Sequence, residues 1–341
     1  MIRYTLPLVL AISAFGQAAP SIITITNAAI PSMDQIVGYT HLKPRSMATI
    51  FGSNLAATAV PTAPPWQKLL GGVEVHLVVG AYTPCATTNP PATLVCELPA
   101  DLTYVSPTQI NFVVPDIAVT TYGQSQLYVR IVLIRDGVRF DNFACNTASC
   151  IAGTGLLTVD PGGDFAMFQV GYDCFFSLSQ TNPDACGFSQ FQGQGRTLLG
   201  AMTDAKGNLI TSQNPMHPGQ LITLWVTGVG GLSRNSASGL LQQTNPTKVS
   251  FGVSQIGGFD VPSLSQTPIW AGESPQYVGL DQINVVFPAC ATGSKATVEK
   301  RYDAYMSFGP VLSSTGSGIS SSSIKVYMPL LMGVGDLDCQ R

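Results

Sequence analysis

The sequence predicts an all-β protein: two immunoglobulin-like β-sandwich domains with a loop-rich segment between them. Three observations carry that expectation. One β unit is written twice. Residues 44–56 read Pro-Arg-Ser-Met-Ala-Thr-Ile-Phe-Gly-Ser-Asn-Leu-Ala, and residues 218–230 read Pro-Gly-Gln-Leu-Ile-Thr-Leu-Trp-Val-Thr-Gly-Val-Gly. Downstream come Tyr104-Val-Ser-Pro-Thr-Gln-Ile-Asn-Phe-Val-Val-Pro115 and Tyr277-Val-Gly-Leu-Asp-Gln-Ile-Asn-Val-Val-Phe-Pro288. Two copies of one unit imply two similar domains. Short stretches of period two recur, and no long capped helical pattern stands out. Finally, 34 Gly and 24 Pro supply frequent turns.

From the N-terminus, Arg3, the apolar run Thr5 to Phe15, and Gly16-Gln17-Ala18 have the order of a signal peptide over residues 1–18. The apolar run is well short of the ~20 residues that span a bilayer, and no later stretch is long enough. Val73-Glu-Val-His-Leu-Val-Val79 sets Val73, Val75, Leu77 and Val79 on one face and Glu74 and His76 on the other. Leu127–Ile134 is apolar on both faces except at Tyr128 and Arg130, as a central strand would be. Ala296–Tyr302 alternates, with Lys300 breaking the inward face, so an edge strand is expected. Ile324–Met328 reads as a last strand. The first sandwich is placed near 33–143 and the second near 212–341. Between them, 144–211 holds two cysteine pairs and the turn Asp204-Ala-Lys-Gly-Asn208. Ser313–Ser323 is a low-complexity surface loop.

The eight cysteines agree with export. Spacing alone leaves 105 pairings open. The simplest is between neighbours: Cys85 with Cys96, Cys145 with Cys150, Cys174 with Cys186, and Cys290 with Cys339. No Cys-x-x-Cys occurs and no His adjoins a Cys, which argues against a zinc site.

Only 10% of residues are charged, against roughly 25% in ordinary domains. The net charge is −3, and losing Arg3 with the leader takes it to −4. No basic run exists, so nucleic acid is not an expected partner. The function classes that need a motif find none: there is no Gly-x-Ser-x-Gly elbow, no P-loop and no dinucleotide fingerprint. Of three histidines, His41 lies at the entry to the first copy, His76 beside Glu74 on a polar strand face, and His217 in a turn. Asp160/Asp164 and Asp336/Asp338 are the closest acidic pairs. They are candidates for a structural calcium, although neither has EF-hand spacing; no other cofactor is expected.

Three residues are candidate ligand contacts. Trp66 sits in a Pro-rich loop where it could stack on a sugar ring. Trp270 and Glu273 share the segment Trp-Ala-Gly-Glu-Ser-Pro275. Glycosidases typically use two carboxylates across a cleft, so a second carboxylate beside Trp270 and Glu273 would point to that chemistry. Trp225 shares a strand face with Leu221 and Thr223 and is expected in the core.

Several of these segments resemble a family of exported soil-bacterial proteins that carry the "Solibacter C-terminal domain". The matching text is Ala48–Ala56, Tyr104–Pro115, Gly193-Gln-Gly195, Asp204–Asn208, Asn214–Gly219, Thr227–Leu232, Trp270–Gly272 and Gly279–Val285. Ile50-Phe-Gly-Ser-Asn-Leu55 is also similar to the opening of IPT/TIG immunoglobulin-like domains. The resemblance implies an immunoglobulin-like fold and an exported protein, and it implies no catalytic residue.

Residues and resemblance together point to a non-catalytic structural, adhesive or ligand-binding module, outside the cell, at its surface or in the periplasm. Its expected partner is an extracellular polysaccharide or another surface protein. A carbohydrate-active or other hydrolytic enzyme is one alternative. A self-assembling surface or matrix protein is another.

Overall fold

The computed structural model of the chain describes residues 18–29, 41–79, 85, 95–117, 119–122, 127–141, 156–159, 166–173, 197–211, 213–230, 232–236, 239–244, 246, 248–254, 264–275, 277–288, 300–308 and 324–332. Among them 3₁₀ conformation is found at Cys85 and Val119–Tyr122, and the rest of the regular structure is strand, as the composition and periodicity predict.

Strands of the N-terminal half are β1 (Ser21–Asn27), β2 (His41–Leu42), β3 (Met47–Ser53), β4 (Val60–Pro61), β5 (Val73–Val79), β6 (Glu97–Pro99), β7 (Asp101–Val105), β8 (Gln109–Val113), β9 (Leu127–Arg135), β10 (Val138–Phe140) and β11 (Leu156–Val159). They form two sheets, β1-β3-β8-β7-β4 and β2-β11-β9-β5-β6, with β10 on β9. Period two places the core. Val73, Val75, Leu77 and Val79 are buried, and the residues between them are half-buried. This row meets Ile25, Ile50, Ile110 and Phe112 of the first sheet in one apolar cluster, so the sheets pack face to face as a sandwich. β9 has β5 on one side and β11 and β10 on the other, the central position its two-faced apolarity predicts.

The C-terminal half holds β12 (Ala166–Met167), β13 (Gln169–Asp173), β14 (Thr197–Gly200), β15 (Met202–Asp204), β16 (Leu221–Thr227), β17 (Leu232–Arg234), β18 (Leu241–Gln243), β19 (Val249–Ser254), β20 (Leu264–Gln266), β21 (Trp270–Ser274), β22 (Tyr277–Val286), β23 (Lys300–Phe308) and β24 (Ile324–Met332). A third sheet runs β12-β16-β22-β21-β18-β17, with β15 also on β16. A fourth runs β13-β14-β24-β23-β19-β20. Phe251 of β19 packs edge-on against Phe287, just past β22, with ring centroids 5.1 Å apart. That contact joins the third and fourth sheets.

The sequence repeat is a repeat of register. Thr49 opposes Asn111 and Ile50 opposes Ile110 across β3 and β8. Thr223 opposes Asn284 and Leu224 opposes Ile283 across β16 and β22. These are equivalent positions of the two copies.

Of the stretch expected at an edge, Lys300–Tyr302 pair with β24 alone among the described residues, and β23 is interior along Asp303–Phe308, flanked by β19 and β24. Two findings differ from the sequence expectation. Residues 144–211 supply strands to both halves: β11 adds to β9, and β12 and β15 add to β16. Trp225 lies on the half-buried outer face with Leu221 and Thr223, because Ile222, Leu224 and Val226 take the core row. The proposed leader falls outside the described residues except Ala18, whose carbonyl accepts from Arg135 at 3.0 Å. Asp160, Asp164, Asp336, Asp338, the Ser-rich stretch, Cys145, Cys150, Cys174, Cys186, Cys290 and Cys339 also lie outside them. Cys85 and Cys96 form a disulfide.

Candidate functional site

Three regions of the described structure gather polar chemistry: the joint between the two sheet pairs, the outer face of the third sheet, and the outer face of the second.

The joint is built from the turn before β3. Ser46 donates from its backbone N–H and its hydroxyl to the Lys43 carbonyl, at 3.0 and 2.7 Å. That closes the turn and holds Arg45 at φ 65°, a left-handed conformation uncommon for a side chain of this size. Lys43 and Arg45 are thereby aimed out of the first sheet pair into the second. Lys43, 9% exposed, donates from Nζ to the Gly228 carbonyl at 2.7 Å. Arg45 donates from Nη2 to Glu273 at 2.5 Å and from Nη1 to Asp116 at 3.3 Å. The Met47 N–H donates to Thr227 Oγ1 at 2.7 Å, and that hydroxyl donates in turn to the Gly279 carbonyl at 2.8 Å.

Gly279 shows why the two copies of the repeat diverge. Its counterpart Ser106 accepts from the Thr108 and Gln109 N–H groups and closes a turn between β7 and β8. Gly279 has φ +86°, and a Cβ there would stand 2.9 Å from both Met47 and Val113. The serine that makes a turn in one copy is replaced by the glycine that lets the other copy seat against it.

Trp66, expected as an exposed sugar platform, is half-buried at the same joint. Its indole donates to the Val278 carbonyl at 3.0 Å, and its ring lies 6.1 Å from that of Tyr277. Glu273 is the Arg45 partner. Both residues therefore bind the halves to each other. A cleft of 240 Å³ beside them is lined by Arg45, Lys68, Asp101, Asp116 and Val278, among others.

Asp281 stands opposite Glu273 in the ladder and is 3% exposed. Its Oδ2 accepts from the Val229 N–H at 2.9 Å. Burial pushes its carboxyl up to about 7. The Glu273 charge adds to the rise, while the Val229 and Gly228 backbone and the Lys43 ammonium oppose it. Asp281 is thus a second carboxylate next to Glu273, one that sequence reasoning had not singled out. Trp270 is not with them. It shares an outer row with Asn284, whereas Glu273 shares Asp281's row on the other face of the sheet. A sugar on Trp270 would have the sheet between it and both carboxylates.

The outer face of the third sheet is the second region. Cross-strand pairing puts Thr203, Thr223, Asn284 and Trp270 in one row across β15, β16, β22 and β21. The next row runs Trp225, Gln282, Gly272, Gln242 and Ser233 across five strands. Both tryptophans are half-buried. Trp225 donates from Nε1 to Thr203 Oγ1 at 3.3 Å, which ties its indole down across the neighbouring strand. Trp270 Nε1 and Asn284 Oδ1 are buried atoms with no hydrogen-bond partner among the described residues, as is Arg45 Nε at the joint.

The other outer face, on the second sheet, is charged. His76 bridges Glu74 at 3.1 Å and Glu97 at 2.7 Å, and Arg139 pairs with Glu97 at 2.7 Å. The guanidinium holds the Glu97 carboxyl below the usual carboxylate range, with His76 adding to the effect. His217 is exposed in its turn, as expected. Among the described residues no three His, Cys, Asp or Glu side chains gather as metal ligands. No described helix is long and apolar enough to cross a membrane.

No family model and no curated protein matches the chain. Solved structures similar to it include the C-terminal domain of the Streptococcus agalactiae AgI/II polypeptide BspA. That structure is 7% identical, with 91% of this chain and 98% of that chain covered, at a TM-score of 0.18. A second BspA C-terminal structure, also 7% identical, covers 91% and 99% at a TM-score of 0.16. At such scores no role passes from them to this chain.

Proposed function

We propose that this chain is an exported, non-catalytic binding protein that presents the outer face of its third sheet to a partner outside the cytoplasm. The observation that carries the reading is a half-exposed, uncharged sheet face that bears two indoles, Trp225 and Trp270. At the joint, Lys43 and Arg45 are engaged by Gly228, Glu273 and Asp116, with Arg45 Nε left without a partner among the described residues. On the third sheet, Trp270 Nε1 and Asn284 Oδ1 are likewise buried atoms without a partner among the described residues. A buried donor or acceptor left unpaired costs about 1–3 kcal/mol, so a side-chain shift that lets water or a ligand reach these two atoms is favoured. The Cys85–Cys96 disulfide supports a location outside the reducing cytoplasm. The separation of Trp270 from Glu273 and Asp281 by the sheet supports binding over hydrolysis.

The test is to incubate the purified chain with glycan polymers and surface-protein preparations, and to follow both retention and release of reducing ends. Retention without release is the expected result. Turnover lost in both Glu273→Gln and Asp281→Asn would replace this reading with the hydrolytic one.

A further inference from the structure

We infer that the Trp225–Trp270 face is a platform for a neutral polysaccharide chain, an inference that rests on the binding role proposed above. The two rows that make the face carry indoles, amides, hydroxyls and one glycine: Thr203, Thr223, Asn284 and Trp270 in one, Trp225, Gln282, Gly272, Gln242 and Ser233 in the other. None is ionisable. The second sheet's outer face carries Glu74, His76, Glu97 and Arg139, so the neutrality belongs to this face and is not the general state of the surface. A charged polymer would find no counter-charge on it. A neutral one loses nothing for that reason.

The chemistry of the two rows matches a sugar ring in its two aspects. A pyranose with equatorial hydroxyls shows apolar C–H faces, which lie on an indole, and a rim of hydroxyls, which amide side chains pair with as donor and acceptor at once. Trp225 and Trp270 stand two strands and two residues apart, which strand geometry makes about 12 Å between Cα atoms, along a diagonal of the sheet. Between them lie Gln282 and Asn284, half-buried residues whose amide groups are both donors and acceptors. Gly272 places no side chain in the row between Gln282 and Gln242. An extended chain laid along this diagonal would stack on one indole, pair with the amides, and stack on the other. The Trp225–Thr203 hydrogen bond fixes one indole in advance, which lowers the cost of ordering it.

The experiment is affinity electrophoresis of the full chain in gels containing hydroxyethyl cellulose, galactomannan or laminarin, each neutral, with alginate as the anionic comparison. Trp225→Ala, Trp270→Ala and, as a control away from the face, Trp66→Phe are run alongside, each checked for a cooperative thermal transition. Retardation by at least one neutral polymer is expected, weakened about tenfold or more in Trp225→Ala and Trp270→Ala and kept in Trp66→Phe. Should either alanine variant not fold, quenching or a blue shift of tryptophan emission by the neutral polymer in Trp66→Phe gives the same answer. Three results would overturn the inference: no retardation by any neutral polymer, retardation by alginate alone, or retardation indifferent to both face variants. Retention of a protein partner in the assay of the previous section would then leave the binding role standing without its sugar.

Discussion

Lys43 and Gly228 are 185 positions apart in the chain and meet at 2.7 Å, an ammonium on a backbone carbonyl between two separate sheet pairs. The carbonyl belongs to the Thr227-Gly-Val-Gly-Gly-Leu232 corner. Val229 and Gly230 of that corner also accept from Gln243, at 3.1 and 3.0 Å. The Lys43 stem runs within 3.3 Å of where a Gly230 Cβ would stand. A charged group this buried is costly to strand, so the Gly228 carbonyl matters.

Lys43→Met keeps the stem and removes the ammonium. The expected cost is about 2 kcal/mol, for a charge-assisted hydrogen bond between partly desolvated groups. Urea unfolding followed by tryptophan emission measures it, with Trp66 reporting on the joint. An unchanged midpoint would mean that the Lys43 contact contributes nothing to holding the halves together.

Gly279→Ala tests the seating of the two halves. Both the φ of +86° and the 2.9 Å approach of Met47 and Val113 act against a Cβ there. Gly207, with φ +84° and nothing within 4 Å, isolates the backbone part. Gly207→Ala should cost about 1 kcal/mol and Gly279→Ala roughly 2–3 kcal/mol more. Equal costs, read from the two melting curves, would mean that the close approach carries no energy.

The sheet skeleton was legible because the repeat encodes register. Thr49–Asn111 and Thr223–Asn284 are the same pair written twice, and a strand period of two does the rest. The joint was not legible. Nothing local to Lys43-Pro-Arg-Ser46 says that its cations will meet Gly228 and Glu273. Nothing in Trp66 says that its indole will find the Val278 carbonyl. Trp225 was misplaced for a related reason. Leu221 and Trp225 make the outer row largely apolar although Thr223 interrupts it, so strand alternation was read onto the wrong face, while the all-aliphatic row Ile222, Leu224 and Val226 takes the core. Of the three candidate contacts, Trp270 stands on the outer face. Its neighbour in the ladder, Asn284, belongs to the Gln-Ile-Asn repeat and so looked purely structural.

Asp281 makes the chain's stability depend on pH. Its folded-state pKa of about 7 lies above the ordinary 3.8, so the folded state holds the proton more tightly than the unfolded chain. Stability from this group is therefore full below about pH 4, declines as pH rises from there through 7, and is flat above. The fall across that window is on the order of 4 kcal/mol for a shift of this size. Asp281→Asn leaves an oxygen to accept from Val229 and has nothing to ionise. Melting temperature measured from pH 5 to pH 8 should fall more steeply in the native chain than in the variant. Parallel curves would place the titration elsewhere.

The Cys85–Cys96 bridge closes a loop with a sequence separation of 11 next to β6, and Cys85 packs against the first core cluster. Closing a loop of that length stabilises by about 3 kcal/mol on the chain-entropy account. Cys85→Ser with Cys96→Ser should lower the melting temperature. Peptide mapping without reduction should recover the two cysteines in one linked fragment. Recovery of Cys85 linked to any other cysteine would overturn the pairing.

Strand pairing makes a final prediction about where the C-terminal half begins. A fragment starting at residue 212 keeps β16–β24 but loses β12 and β15, which cover one edge of β16, and β14, which pairs with β24 through Leu199 and Tyr327. That strips Met167 and Met202, both buried, from the third sheet and leaves β16 with an open edge. A fragment starting near residue 160 retains all three strands. Circular dichroism melts of the two fragments should show a cooperative transition for the longer and none, or a far weaker one, for the shorter. A shorter fragment as stable as the longer would mean that the 166–204 strands rest on a sandwich complete without them.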